Sequence, residues 1–478
     1  LQVENRMSPP PSAQLSRNEN PELREVPPVE GEPIFGFMLM GGALFGAQVR
    51  DIRLANELFD RGYRVHVWWA MDRAYRSPLR PGIPQHWLFH SGRYAPFIQR
   101  EVDEWLGRAL SRLTLDERRA WVVQAFPWEL DRLMRGLVRG VCAGVERDPA
   151  VIRRFARGIT ATGVTHLLPN LSILGPFAAA ARKLVPHRVR YVVTFQGYEL
   201  YGNYARELGC EAELYRRLYE TVEQSDWPAI AVSEQYAERI QADIGVPASR
   251  LRAIPPGVPA PLRVGADEAR RLVASCLPAF DPRLPLISYL GRQDAEKGLD
   301  LLLYAATLLR RRGLEFQLAI CGPTAFGAKY QAACRQVAEN LRCPVLWNGY
   351  IRDELRSALF EASRCVVYPS IHDEPFGMVP VEAMAHGTPC LVSDSGGVSG
   401  AIRAGSDQGG LTFRTWDSGH LAEQLASLLQ DDVLWRQLSL AAPRVAEHYS
   451  VTNLGDRVLE HLGLPLKVAG LREARPAA

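Results

Sequence analysis

The hydrophobic positions fall into two series of short apolar runs, each followed by residues at helical spacing. In the first series residues 35–40 are apolar and Gly41-Gly42-Ala43-Leu44-Phe45-Gly46 follows. Val49, Leu54, Leu58 and Phe59 then recur at helical intervals before a second apolar run at 63–69. Strand, glycine loop, helix and strand make a βαβ unit. Runs at 167–168, 191–195 and 230–232 predict further strands. The second series is more regular. Strand-like runs at 286–290, 316–321, 345–347, 365–368, 390–392 and 411–413 alternate with helical patterns, among them 299–310, 330–340, 354–363 and 378–386. Such alternation predicts parallel sheets with helices on both faces, so the fold class is α/β with two doubly wound, Rossmann-like domains.

Between the series lies Ile254-Pro255-Pro256-Gly257-Val258-Pro259-Ala260-Pro261, a stretch of helix breakers that marks the hinge. The predicted units are a first domain at 33–262 and a second at 263–445. A C-terminal helix and tail at 446–478 is expected to pack back on the first domain. Residues 1–32 are polar and proline-rich, without the apolar stretch of a signal peptide, and read as a disordered leader. Residues 71–158 interrupt the first domain with 16 arginines, 10 acidic residues and no lysine. Within them Trp121, Phe126, Leu130, Leu133, Leu137 and Val141 lie at amphipathic helical spacing. A stripe of that kind packs on a sheet or, being basic, lies on an anionic membrane surface; both readings stay open.

Composition changes the picture little. The chain has 478 residues, is 47% hydrophobic and 23% charged, and carries a formal net charge of +3. It is an ordinary globular composition with no electrostatic footprint for nucleic acid. The eight cysteines include no Cys-x-x-Cys pair, which removes the usual zinc and thioredoxin-like signatures. Several sit in apolar runs, as free thiols do in a reducing compartment, and no apolar run is long enough to span a bilayer. The expected location is the cytoplasm. One number is unusual: of 56 basic residues only Lys183, Lys297, Lys329 and Lys467 are lysines. The bias reads as a coding preference for arginine, and it lends Lys297 extra weight.

Three strand–loop–helix junctions carry candidate chemistry. Gly41-Gly42 follows a strand and opens a helix, where backbone N–H groups and the helix end face an anion. It is not the dinucleotide fingerprint, since the next glycine is Gly46. The second junction runs from Tyr289 to Leu299 and holds Arg292 and Lys297 around a short loop. An arginine fork beside a mobile ammonium suits the two charges of a diphosphate. The third, Val367 to Pro389, leads through a proline–serine loop into a helix ending near Gly387. Glu374 lies in the loop and Glu382 about one turn into the helix. Carboxylates suit vicinal diols, because each oxygen accepts a hydroxyl hydrogen bond.

The segment Glu374-Pro375-Phe376-Gly377-Met378-Val379-Pro380-Val381-Glu382 resembles the glutamate–seven residues–glutamate motif of retaining family-4 glycosyltransferases (glycosyl transferases group 1, GT-B fold). Gly291-Arg292, Glu296-Lys297-Gly298, the Gly41-Gly42 loop and Ile254–Val258 match the same family's pattern in order. The resemblance implies that Arg292 and Lys297 hold the donor diphosphate, that Glu374 contacts the transferred sugar and that Glu382 contacts the ribose. Backbone amides of Phe376, Gly377, Met378 and Val379, with Gly42 from the other domain, would complete the phosphate site. Gln196, Gly197, Glu199 and His372 are the expected contacts of sugar or acceptor. No metal and no cofactor is expected, and the chain contains no Asp-x-Asp.

Two positions depart from the family pattern. Gln196 stands where the family commonly has histidine, and Gly400 where a glutamate often follows the Gly396-Gly397 pair. The implied activity is hexosyl transfer, with retention, from a nucleotide-diphospho sugar to an acceptor hydroxyl on a small molecule, lipid or growing glycan. The alternatives are a regulatory subunit that has lost catalysis, a nucleotide-sugar epimerase or a sugar phosphorylase.

Overall fold

β1 (Ile34–Leu39) is buried at every position, as a central strand covered on both faces must be. The computed structural model describes residues 31–40, 46–70, 79–88, 127–324, 328–349 and 351–467. Gly42, residues 1–30 of the expected leader, and 71–78 and 89–126 of the arginine-rich interruption lie outside that set. β1 pairs in parallel with β2 (Arg64–Trp69) on one side and β4 (His166–Pro169) on the other. β3 (Gln85–Trp87) and β5 (Arg190–Tyr191) complete a sheet of order β3-β2-β1-β4-β5. A second parallel set joins β6 (Thr194–Phe195), β7 (Ala229–Ala231) and β8 (Leu251–Ala253).

The run 191–195, one strand by its pattern, is thus divided between two sheets. Val192 N donates to Leu167 O of β4 at 3.2 Å, whereas Val193 O accepts from Ile230 N of β7 at 2.8 Å. One extended run therefore closes the first sheet and opens the second.

The second half is a six-stranded parallel sheet of order β11-β10-β9-β12-β13-β16. Its strands are β9 (Leu286–Leu290), β10 (Gln317–Cys321), β11 (Leu346–Asn348), β12 (Cys365–Tyr368), β13 (Cys390–Ser393) and β16 (Gly410–Phe413). A two-stranded hairpin of β14 (Arg403–Ala404) and β15 (Asp407–Gln408) precedes the last. From β9 the chain moves outward through β10 and β11, then returns to β12 on the opposite side. The topological switch point lies between β9 and β12, and the loops after these strands meet above it.

The hinge is stitched to the C-terminal segment. Val258 N donates to Tyr449 O at 2.8 Å, and Val451 N donates to Val258 O at 3.0 Å. The helix Val451–His461 then lies on the helix Gly46–Asp60 of the first half, with Arg61 reaching Asp456 Oδ1 at 2.5 Å and Thr452 O at 2.9 Å. Leu454, Val458, Leu459 and Leu462 share a core with Leu54, Leu58 and Val65. In the helix Pro127–Ala143, Met134, Leu137, Val138 and Val141 are buried in the first half's core. The described part of the amphipathic stripe is therefore a packing surface. Among the described residues no helix is long and apolar enough to cross a membrane.

Candidate active site

The loop after β9 turns at Ala295–Lys297 and passes through Gly298 into the helix Leu299–Arg311. Gly298 has φ +63°, and a Cβ there would lie 2.2 Å from Pro369 O in the loop after β12. Only glycine allows the two loops so close. Ile371 N donates to Glu296 O at 3.0 Å and seals the approach.

This docking gathers the predicted residues. Lys297 is 5% exposed, so it is no surface cation. Its Nζ lies 2.5 Å from Glu374 Oε2 and 3.3 Å from His372 Nε2, and 5.6 Å from the centre of the Tyr368 ring. His372 Nε2 is 3.2 Å from the same Glu374 oxygen, and Ser370 Oγ donates to it at 3.4 Å. Arg292 lies alongside, paired with Asp294 and Glu296. Burial pushes the Glu374 carboxyl up, but Lys297, His372 and Arg292 outweigh it and hold the group below its ordinary range. Burial pushes the His372 imidazole down in spite of Glu374, so Lys297 is the principal charge that faces Glu374.

Beyond Glu374 the chain enters the helix Met378–Ala385, whose first turn has no side-chain cap. Its N–H groups remain available to an anion. Phe376 turns its side chain into the core, edge-on to Tyr449 with ring centres 5.2 Å apart, so its contribution to the cleft is its backbone. Gly397 sits where a Cβ would be 2.2 Å from Pro375 O, and this tight contact holds the Glu374 loop from above. Among the described residues no group of three or more His, Cys, Asp or Glu is placed to hold a metal ion.

The first half closes over this surface. Ser233 caps the helix Glu234–Ile244 and also donates to Pro375 O at 2.7 Å. A cavity of about 480 Å³ opens beside it, with Gln235, Tyr236, Arg239 and Asp243 on one wall and Asp373 and Glu374 on the other. Glu199 stands behind that first wall. Its Oε2 accepts from Tyr236 Oη at 2.9 Å, and its Oε1 lies 3.1 Å from Arg239 Nη1. Burial pushes its carboxyl up, and the facing charge of Glu374 adds to the shift.

Not every expected contact reaches the cleft. Gln196 Nε2 donates to Asp51 Oδ2 at 2.5 Å and to Asn170 O at 2.7 Å. Both amide hydrogens are committed inside the first half, which leaves only Oε1 for the expected contact with sugar or acceptor. Gly197 carries the chain from there to Tyr198, and Gly42 lies outside the described residues. At Gly400 the missing side chain is replaced from across the cleft: a Cβ would be 3.2 Å from Gln235 Nε2.

Glu382, for which the resemblance implies a ribose contact, is also held by two arginines: Arg53 Nη2 bonds its Oε1 at 2.7 Å and Arg356 Nη1 lies 3.4 Å from Oε2. Burial pushes this carboxyl up, but Arg356 and Arg53 hold it below its ordinary range. Sequence reasoning missed both arginines. Neither sits in a glycine loop, and arginine is too common here to stand out.

Two Rossmann-like halves facing across a cleft, with cations and an uncapped helix end at the switch point, define the GT-B class. Residues 129–260 match the family described as Glycosyltransferase Family 4, and 278–445 match Glycosyl transferases group 1. The chain belongs to the family-4 glycosyltransferases. It is 29% identical over 264 residues to D-inositol 3-phosphate glycosyltransferase of Rhodococcus opacus, covering 54% of this chain and 55% of that protein. It is 30% identical over 192 residues to alpha-D-kanosaminyltransferase of Streptomyces kanamyceticus, covering 40% and 48%. The chain thus spans about half the length of the curated relatives it matches. Anabaena HepE in complex with UDP and glucose superposes with a TM-score of 0.64 at 17% identity, covering 90% of this chain and 100% of that one. Sucrose-phosphate synthase from Thermosynechococcus elongatus does so with a TM-score of 0.66 at 19% identity, covering 90% and 98%. At these identities what is shared is the fold.

Proposed function

We propose that the protein is a retaining glycosyltransferase that moves a hexosyl unit from a nucleotide-diphospho sugar to an acceptor hydroxyl. The observation that carries this is the convergence of Arg292, Lys297, His372 and Glu374 at the switch point, beside the free N-terminus of Met378–Ala385. Arg292, Lys297 and the helix N–H groups take the charge that grows on the diphosphate as the sugar departs. No metal or cofactor is required for that role. Glu374, ionised at neutral pH, accepts hydrogen bonds from sugar hydroxyls and is a poor proton donor.

The acceptor enters the cavity lined by Tyr236, Arg239, Asp243 and Asp373, whose polar walls suit a hydroxyl-rich molecule. Its oxygen forms the new bond to the anomeric carbon as the bond from that carbon to phosphate breaks. The hydroxyl proton passes to the departing phosphate oxygen on the same face, so configuration is retained. Closure of the two halves keeps water from competing with the acceptor. The printed name of one relative, a D-inositol 3-phosphate glycosyltransferase, fits a polar acceptor. The complexes of HepE make UDP-glucose the first donor to try, and UDP the first product ligand.

The test is a panel of nucleotide sugars scored for thermal protection, since a ligand that binds only the native state raises Tm. Transfer assays with polyol and sugar acceptors follow, with the product's anomeric configuration read by NMR. Inverted product refutes the retaining mechanism. Absence of protection and transfer with every donor refutes the assignment.

A further inference from the structure

Glu382 is 8% exposed on the helix Met378–Ala385, yet a principal partner comes from the other half of the molecule. Arg53, on the helix Gly46–Asp60, donates from Nη2 to Glu382 Oε1 at 2.7 Å. From Nη1 it donates to Gly257 O in the hinge at 3.0 Å, with Met378 Sδ 3.8 Å from the same nitrogen. Arg356, from the second half, stands 3.4 Å from the other carboxylate oxygen. Each oxygen of Glu382 is therefore engaged by an arginine from a different half.

We infer that Arg53 is a positioning residue for the donor nucleotide, orienting the Glu382 carboxylate toward the ribose diol from across the hinge. The inference rests on the proposed function and on Glu382 as the ribose contact. A carboxylate oxygen has two lone pairs, so the Arg53 bond to Oε1 and the Arg356 ion pair at Oε2 leave at least one acceptor per oxygen. Two fixed acceptors side by side match two adjacent hydroxyls. Without Arg53 the Oε1 side would be free to turn, and orienting it would fall to the ligand. The fork matters as well as the charge. Arg53 bonds Gly257 O and Glu382 Oε1 from separate nitrogens at once, and a lysine ammonium lacks that planar geometry. The hinge carbonyl makes the arrangement depend on how the halves are apposed. A ribose seated on Glu382 of the second half is thereby sensed by the first.

The measurement is calorimetric Kd for UDP and 2′-deoxy-UDP with the full chain, in wild type, Arg53→Met, Arg53→Lys, Glu382→Gln and the Arg53→Met/Glu382→Gln double variant. If the panel selects another base, its ribo and 2′-deoxy diphosphates are used. Wild type is expected to prefer the ribonucleotide by about tenfold or more, the value of a hydrogen bond to a charged group. Arg53→Met should cut that preference to under about threefold, Arg53→Lys should fall between, and the double variant should lose no more than Glu382→Gln alone. Tm without ligand and far-UV circular dichroism confirm that each variant folds. Arg53→Met with an unchanged preference, or with both nucleotides weakened equally, overturns the inference, since a merely structural arginine would act that way. A preference unchanged in Glu382→Gln refutes the ribose contact itself, which is a separate and recognisable failure.

Discussion

Changing Lys297 to methionine keeps most of the buried stem and removes its charge. Glu374, with its side chain 15% exposed, is then left with His372 at 3.2 Å and Ser370 at 3.4 Å. Burial is the largest influence on Glu374 and favours its neutral form, and Lys297 leads the groups that overcome it. Breaking a buried pair from one side costs about 3–5 kcal/mol. The partly open cleft and the remaining partners place this case at the low end, about 3 kcal/mol at pH 7. In the wild type the Glu374 native pKa lies below its unfolded value. Its stabilisation is therefore full above the ordinary carboxylate range and is lost as pH falls through the native value. In Lys297→Met burial prevails and the native pKa rises above the unfolded one, so the penalty is present at neutral pH and fades in acid. Urea unfolding should show the loss shrinking from about 3 kcal/mol at pH 7 to about 1 kcal/mol near pH 4. Glu374→Gln in the same background should recover part of it, with a coupling of about 2 kcal/mol in the double-mutant cycle. Additivity within about 0.5 kcal/mol, or a penalty independent of pH, would refute the coupling of this pair.

Three further outcomes follow from the same geometry. The His372 native pKa lies below its ordinary value of 6.5, so its stabilisation is full above that value and is lost as pH falls from it toward the native one. His372→Gln should flatten that slope in urea midpoints taken between pH 7 and 5. Gly298→Ala places a methyl 2.2 Å from Pro369 O at a positive φ and should cost about 2 kcal/mol or more, with transfer lost as the two loops part. Ser233→Ala removes both the cap on Tyr236 N at 3.1 Å and the bond to Pro375 O; thermal unfolding should show a loss of about 1–2 kcal/mol, with KM for the acceptor raised.

The alternation of strands and helices was legible because buried parallel strands are short apolar runs, and β9, β10, β12 and β13 are apolar for most of their length. The division of 191–195 was not, since nothing in Val192 or Val193 says which neighbour each will pair with. Lys297 and Glu374 could be found because each lies in a loop with its own local pattern. Arg53 and Glu382 are 329 residues apart on different halves, and no local pattern records a contact made by domain apposition. Gln196 could be placed near the cleft from its neighbours, but the direction of its amide depends on Asp51 and Asn170, which only the folded sheet brings close.

The helix Val451–His461 gives the order of biosynthesis a consequence for the first half. Leu454, Val458, Leu459 and Leu462 complete the core around Leu54 and Leu58, and Arg61 meets Asp456 across 395 residues of chain. At about 5–20 residues per second a ribosome needs roughly 20–80 s to make that interval. Throughout it the helix Gly46–Asp60 has an apolar face waiting for a partner that does not yet exist. A chain arrested before that helix emerges would keep this face exposed, as a target for chaperones or a seed for aggregation. Of the two halves, the one that begins to fold first is finished last.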